Sequence, residues 1–478
     1  VGHTGDVWSI ALDGDRLVSG GDGQTIKVWD LSRLRKSSDG EQIEPQLNIF
    51  VSKDNEWVIW SKSGYYNASA EGDKYIGYHI NQGTDKEAYF VSSDKYADTY
   101  YRPDIIDAII AGSSEKRAIE SSSTRVATVD VASSLPPMLS LLSPSTLSTD
   151  SSRIIVKFNM QSSAEVEQLI VTRNGQSLSS RGLEQTRDGT RSMIEVDLED
   201  GENIISIRAK NKFALSDELL VTATKTSQSE TLYKPTLYLL TVGVSQYQNK
   251  EYNLKSADKD AKSIAEMFAQ QEGKLYKKVV AKNLLNEQAT KDNILDALDW
   301  IERETTQRDV VILFTAGHGQ NDDKGNYYFL SHDADAQKLR RTAIKWTEIQ
   351  DTITSLPSKV ILMADTCHSG NIMGKGHRRD ITGAIKSIIN SGTGTIVMTA
   401  STGRGYSIED DAWGHGAFTK AILEGLGEGK ADYNNNDTIA IKEIDLYVTD
   451  RVKELTEGRQ KPTTIIPQSV PDFAVGVR

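Results

Sequence analysis

The chain is nearly devoid of cysteine: Cys367 is the single thiol in 478 residues. That excludes an internal disulfide framework and any zinc site built from several cysteines. A lone thiol that serves as a nucleophile must stay reduced, which points to a reducing compartment, the cytoplasm. Positive charge is in deficit, with a formal net charge of −12 and a pI near 5.3. This argues against nucleic acid or an anionic membrane as the partner and suits a basic ligand. No apolar run approaches the ~20 residues of a membrane span. No signal peptide is visible, but Val1 falls inside a repeat-like motif, so the natural N-terminus is expected to be missing. What remains is a globular composition, 38% apolar and 26% charged. The length suits about three domains of ~100–200 residues each.

Residues 1–31 contain Gly2-His3-Thr4-Gly5-Asp6, Leu17-Val18-Ser19-Gly20-Gly21 and Ile26-Lys27-Val28-Trp29-Asp30. The Gly-His opening and Trp-Asp close resemble one WD40 repeat. One blade cannot bury its own faces, so the resemblance implies the last blade of a truncated propeller; a stray β-meander is the alternative. Residues 32–46 are polar and read as a linker. Residues 47–112 form a small aromatic-rich β module, with Trp57-Val58-Ile59-Trp60 and Tyr75-Ile76-Gly77-Tyr78-His79, and Pro103 opens a helix there. Such aromatic stripes read as core, not as a ligand cage. A Ser-, Thr- and Ala-rich linker, residues 113–135, follows.

Residues 136–228 read as all-β, with apolar runs at 154–158, 169–172, 194–198, 204–209 and 219–222 and a hairpin turn at Asn174-Gly175. The pattern predicts an immunoglobulin-like sandwich without its disulfide, a spacer or docking surface. From 234 to 474 strands alternate with helical periodicity at 257–270, 291–304 and 416–426. That predicts an α/β domain, a mostly parallel sheet with flanking helices. The fold class expected is therefore multidomain: blade fragment, β module, sandwich, then α/β domain.

Two apolar runs of the last domain end in reactive side chains. Val310-Val311-Ile312-Leu313-Phe314 leads to Ala316-Gly317-His318-Gly319, and Val360-Ile361-Leu362-Met363-Ala364 leads to Asp365-Thr366-Cys367-His368-Ser369-Gly370. Reactive residues at two buried strand ends suggest an active site at the carboxyl edge of a parallel sheet. A thiol of ordinary pKa near 8.5 needs a base, and His318 can remove its proton and later protonate a leaving amine. The alternative for Cys367 is a buried core cysteine. No third member of a triad is evident. His368 is expected to point to the opposite side of the strand from Cys367. His3, His79, His332, His377 and His415 show no partner pattern. A zinc site from His318, His332 and Asp333 has no supporting spacing.

Residues 234–471 resemble the caspase-like clan of cysteine peptidases (peptidase C14-like), on the metacaspase or orthocaspase side. Four segments carry the likeness in order: Leu254-Lys255-Ser256-Ala257-Asp258-Lys259-Asp260-Ala261, Ala316-Gly317-His318-Gly319, Asp365-Thr366-Cys367-His368-Ser369-Gly370 and Trp413-Gly414-His415-Gly416-Ala417-Phe418-Thr419. The resemblance implies a Cys367–His318 dyad, with the backbone N–H groups of Gly319 and Cys367 as oxyanion hole. It implies that Asp260 and Asp365 line the pocket for the residue before the scissile bond. Two carboxylates there favour Arg or Lys through charge-assisted hydrogen bonds. The Gln-Ala-Cys-Arg-Gly run of true caspases is missing, so cleavage after Asp is not expected. The alternative for Asp260 is a helix-cap carboxylate. Ala316 departs from the pocket serine common in metacaspases. The 47–112 module resembles one that follows propellers in bacterial caspase-like proteins.

Residues 371–392 follow the nucleophile and carry Lys375, Arg378 and Arg379, candidate self-cleavage points; a solvated, uncut loop is the alternative. The run from Asp432 to Glu443 has EF-hand-like spacing, with Asp432, Asn434, Asn436 and Glu443 as candidate calcium ligands. Position six is Asp437 where glycine is expected, and a plain turn is the alternative. No cofactor is required for the dyad; calcium is the candidate addition. The partners expected are a protein or peptide substrate with a basic residue before the cut and a regulatory protein bound through the propeller. A catalytically silent scaffold and a thiol amidase on the same sheet are the competing readings.

Overall fold

The computed structural model describes residues 2–33, 43–81, 84, 88–122, 131–178, 184–185, 191–226, 233–322, 324–367, 380–401 and 407–478; at Ala132, Glu184, Gln185, Arg191 and Cys367 it describes the backbone alone. The chain divides into two compact units, residues 1–135 with 323–325, and residues 136–322 with 326–478.

In the first unit six strands form one antiparallel meander in chain order: Val7–Asp13, Arg16–Gly21, Ile26–Asp30, Leu47–Val51, Trp57–Ser61 and Tyr66–Ala68. The 32–46 segment therefore does not separate two sheets. Ile26, Lys27 and Val28 pair directly with Ile49, Asn48 and Leu47. His3, expected to lack a partner, has one: its Nε2 lies 2.8 Å from Ser19 Oγ, which also accepts from Trp29 Nε1 at 2.8 Å. The aromatic stripe is core. Tyr66, Tyr96, Ile105 and Ile106 are fully buried, and Tyr78 meets Tyr96 edge-on with ring centroids 5.6 Å apart. The helix Pro103–Ile110 begins at proline, whose missing N–H costs nothing in a first turn.

The second unit begins with two sheets closed over one core. Strands Arg153–Gln161 and Arg191–Asp197 supply Ile154, Val156, Phe158, Ile194 and Val196 from one sheet. Val166–Arg173, Gly201–Asn211 and Leu219–Lys225 supply Val171, Ile205, Ile207, Val221 and Ala223 from the other. Along Arg153–Gln161 buried residues alternate with exposed ones until Phe158, the period-two signature of a half-buried strand. Asn174 and Gly175 both take positive φ, 52° and 79°, and join Arg173 to Gln176 in a two-residue turn.

The remaining residues build the α/β domain. Its sheet runs in the order Lys278–Leu285, Thr236–Gly243, Val310–Asn321, Lys359–Cys367, Ile396–Thr399, Thr463–Ile465. The first five strands are parallel and the last is antiparallel. All twelve residues of Val310–Asn321 are buried, as a central strand covered on both faces must be. Leu239, Ile312, Phe314, Ile361, Met363 and Met398 face one core, which helices Ala257–Ala269, Ala417–Ile422 and Ile441–Leu455 complete. Residues at the intervening positions face the other way, where Tyr238 meets Trp300 of helix Lys291–Glu304. The chain winds to opposite sides of Thr236–Gly243, so the carboxyl ends of that strand and of Val310–Asn321 flank a switch point, the usual crevice for a ligand. Among the described residues no helix is long and apolar enough to cross a membrane.

Candidate active site

Parallel pairing of the histidine strand (Val310–Asn321) with the cysteine strand (Lys359–Cys367) sets His318 directly across from Cys367. The register is held upstream by apolar pairs such as Ile312 with Ile361 and Phe314 with Met363. A slip of one residue would turn these cores outward, so the core fixes which two residues face each other at the edge.

His318 is buried and held on three sides. Its Nε2 lies 2.7 Å from the carbonyl oxygen of Tyr252. Its backbone N–H donates to Tyr247 Oη at 2.9 Å, and the Tyr247 ring stacks on the imidazole at 5.3 Å and 28°. A carbonyl can only accept, so the proton of the neutral ring resides on Nε2 and the basic lone pair on Nδ1. The orienting group that no side chain in the sequence offered is thus a main-chain carbonyl. Gly319 continues the strand and pairs with Phe329. Ala316 is buried in the apolar core beneath the site.

Asp365, two residues before Cys367, is buried, and both its oxygens accept hydroxyls. Ser407 Oγ donates to Oδ1 at 2.7 Å and Thr419 Oγ1 to Oδ2 at 2.8 Å. Asp260 arrives from helix Ala257–Ala269 and is equally buried. It does not cap that helix. Its Oδ1 meets His415 Nδ1 at 2.7 Å and its Oδ2 accepts from the Gly416 N–H at 3.2 Å. Gly416 brings the two acids together. A Cβ there would lie 2.9 Å from Asp365 Oδ2 and 3.3 Å from Asp260 Oδ2, so any side chain would wedge the carboxylates apart. Glu409 adds a third acid, accepting from the N–H groups of Lys255 and Ser256.

Burial comes first in setting these acids' affinities for protons. It pushes Asp260 well above the usual carboxylate range, with the charge of Asp365 adding to it. Asp365 and Glu409 are raised by burial too, against the opposing hydrogen bonds they receive. Burial lowers His415, assisted by Lys420 and Lys259. The acid is raised and the imidazole lowered, so burial disfavours an ion pair between them.

Residues 237–470 match the family model of the caspase domain, Peptidase C14. This half of the chain is a caspase-like domain. A cysteine peptidase-type fold and a protein substrate follow from that family. A comparison with curated proteins finds no match. Among solved structures the chain is similar to protein GSU0716 from Geobacter sulfurreducens, at 16% identity over 51% of this chain and 95% of that one, with a TM-score of 0.35. It is similar also to fibronectin(III)-like modules of Clostridium thermocellum CbhA, at 10% identity over 37% and 66% of the two chains, with a TM-score of 0.17. Scores this low carry no argument about fold or function.

The other candidates fall away from the caspase-like site. Lys375, Arg378 and Arg379 lie outside the described residues, as do His368 and His377. Asp432 accepts from the N–H groups of Asn436 and Asp437 at 3.1 Å, and Asn436 Oδ1 from Thr438 N–H at 2.9 Å. Glu443 accepts from Ala440 N–H at 2.9 Å, at the start of helix Ile441–Leu455. These oxygens close a turn and cap a helix, and among the described residues no group of three acids or histidines is arranged to hold a metal. His332 Nδ1 lies 2.6 Å from the Gln246 carbonyl and Asp333 accepts from Lys291 N–H, so neither turns to His318. The partners of the two buried acids, Ser407 on Asp365 and His415 on Asp260, and the nearby Glu409 were not singled out from the sequence. Only His415 and Thr419 stood in a recognised motif; nothing in the sequence pointed to Glu409.

Proposed function

We propose that the caspase-like domain is a cysteine endopeptidase that cleaves after Arg or Lys through a Cys367–His318 dyad. The observation that carries this is the register of the two strands, His318 against Cys367, with Asp365 two residues upstream on the same side of the chain. His318 Nδ1 takes the thiol proton, and the thiolate adds to the scissile carbonyl. The N–H groups of Gly319 and Cys367 receive the oxyanion. The imidazolium then protonates the leaving amine, and water, deprotonated by the same nitrogen, releases the acyl group. With Nε2 committed to Tyr252, the ring is oriented before substrate arrives. No step runs through calcium.

Asp260, Asp365 and Glu409 favour a basic residue before the scissile bond. Buried carboxylates that lack a full counter-charge gain from a guanidinium or ammonium, and repel Asp. This supports a reading on the metacaspase or orthocaspase side of the family, with self-cleavage at Lys375, Arg378 or Arg379 as its expected processing and the cytoplasm as its expected location. Residues 1–31 are read as the last blade of a WD40 propeller that receives a regulatory protein. The His3–Ser19–Trp29 network supports this, as does the edge strand Val7–Asp13, on which Trp8, Ile10 and Leu12 stay exposed. The sandwich is read as immunoglobulin-like. Fluorogenic peptides ending in Arg, Lys or Asp test the specificity. Release after Arg or Lys that disappears in Cys367→Ala supports it. Release after Asp alone sinks it, and silence on all three, in the full chain and after limited proteolysis, favours a scaffold.

A further inference from the structure

Among the described residues, the acids of the pocket beside the nucleophile outnumber the basic side chains paired with them. Asp260 and Asp365 are each almost fully buried and both approach Gly416, and Glu409 lies on the same hairpin. Two of the three nearby lysines are committed elsewhere. Lys255 Nζ pairs with Asp411 at 3.1 Å, Lys420 Nζ lies 3.4 Å from Glu424, and Lys259 stands on the same helix without an ion pair among those described. Asp258, also on that helix, is occupied by Ser245 and Asn286. Within hydrogen-bond distance of the two buried carboxylates, the one basic side chain among the described contacts is the His415 imidazole, at 2.7 Å from Asp260 Oδ1. Two carboxylates this close in a dry site do not both ionise freely; one keeps a proton until a cation replaces it.

We infer that the empty pocket stores one proton on Asp260, hydrogen-bonded to His415 Nδ1, and releases it to solvent when a basic substrate side chain enters. His415 is then a positioning residue: its Nδ1 accepts a hydrogen bond from the protonated Asp260 carboxyl and keeps that carboxyl turned toward the pocket. The raised affinity of Asp260 for protons and the lowered affinity of His415 agree with this placement of the proton. The inference rests on the reading that these acids receive a basic residue, and it adds a consequence. Binding of arginine is linked to pH, weakening about tenfold per unit as pH falls through the range in which the proton is held. Turnover of the bound complex is not linked in this way, so low pH raises KM through the pocket and leaves its imprint on kcat to His318 alone.

The experiment is calorimetric titration of the full chain carrying Cys367→Ala with a blocked tripeptide amide ending in arginine. Titrations run in phosphate and in Tris, whose ionisation heats differ, at several values across about pH 6 to 8. The expected result is release of about one proton per arginine bound in at least part of that range, and loss of most of that release when Asp260→Asn is added. Binding with no proton release at any pH overturns the inference and leaves the specificity standing. Release that survives Asp260→Asn overturns it too, since the proton then resides on Asp365 or Glu409. Failure of the arginine peptide to bind at any pH removes the specificity and the inference with it. The decisive measurement is made on the unaltered pocket, so it does not depend on whether Asp260→Asn folds.

Discussion

The residue whose environment says most is His318. Its imidazole is oriented by a carbonyl, a stacked phenol and a main-chain hydrogen bond, so it is fixed before any substrate binds. His318→Ala should lower kcat/KM for an arginine peptide by about 10²–10⁴-fold with the fold intact, checked by circular dichroism beside steady-state kinetics. Tyr247→Phe removes the hydroxyl acceptor but keeps the ring, and should cost far less than His318→Ala. Asp365→Asn should raise KM for arginine peptides about 10- to 100-fold, the loss of one charge-assisted hydrogen bond, with a smaller change in kcat. The two strand ends that meet at His318 and Cys367 were legible from sequence because glycine and polar residues follow apolar runs there. The carbonyl of Tyr252 was not, because a backbone oxygen carries no residue code. Glu409 was not legible either: it reaches the pocket through a short hairpin, Glu409–Asp410 with His415–Gly416, whose pairing no apolar pattern announces.

At the scale of elements, the site depends on how closely the histidine strand can approach its neighbours. A Cβ at Gly319 would fall 1.8 Å from Tyr327 Oη, whose hydroxyl in turn donates to Thr366 Oγ1 at 3.0 Å. Gly319→Ala should therefore destabilise the domain by about 1–3 kcal/mol, seen as a lower urea midpoint, and lower kcat by disturbing the position of His318. A second element sets the acid limit. Glu424 lies in the π-turn Leu423–Gly427 and accepts from Arg451 Nε at 2.7 Å and Tyr447 Oη at 3.1 Å, with Lys420 beside it. Burial alone would raise its pKa, but these partners outweigh it and hold the carboxyl at about 2. A carboxyl depressed in the folded state stabilises above its unfolded pKa of 4.5 and loses that contribution as pH falls toward 2. The contribution is roughly 3 kcal/mol, so Glu424→Gln should lower stability at pH 7 by about that order and flatten the acid limb of a stability–pH curve.

At the scale of the molecule, the sandwich and the caspase-like domain belong to one compact unit, although composition and periodicity separate them clearly. The Asn174-Gly175 turn is seated against the domain. A Cβ at Gly394 would lie 2.0 Å from Gly175 Cα, and Gln176 donates to the Gln307 carbonyl. Residues 136–478 should accordingly melt in one calorimetric transition, and Gly394→Val should split or broaden it. Periodicity predicted both halves because each carries its own apolar pattern; the turn that seats one on the other, two glycines in close approach and an amide hydrogen bond, carries no periodic signal. The continuous meander across 32–46 escaped sequence reading for a related reason, since a polar connection between strands resembles a polar connection between domains.

The central claim is a thiol activated by His318 beside an acidic pocket, and Cys367 being the single cysteine makes it directly measurable. An arginine-based acyloxymethyl ketone, applied to the full chain and mapped by mass spectrometry, should modify Cys367. The reaction should be slowed about 10²-fold or more by His318→Ala and competed by an arginine peptide. Equal labelling with His318→Ala, or labelling by an aspartate-based probe in place of the arginine one, would contradict the account.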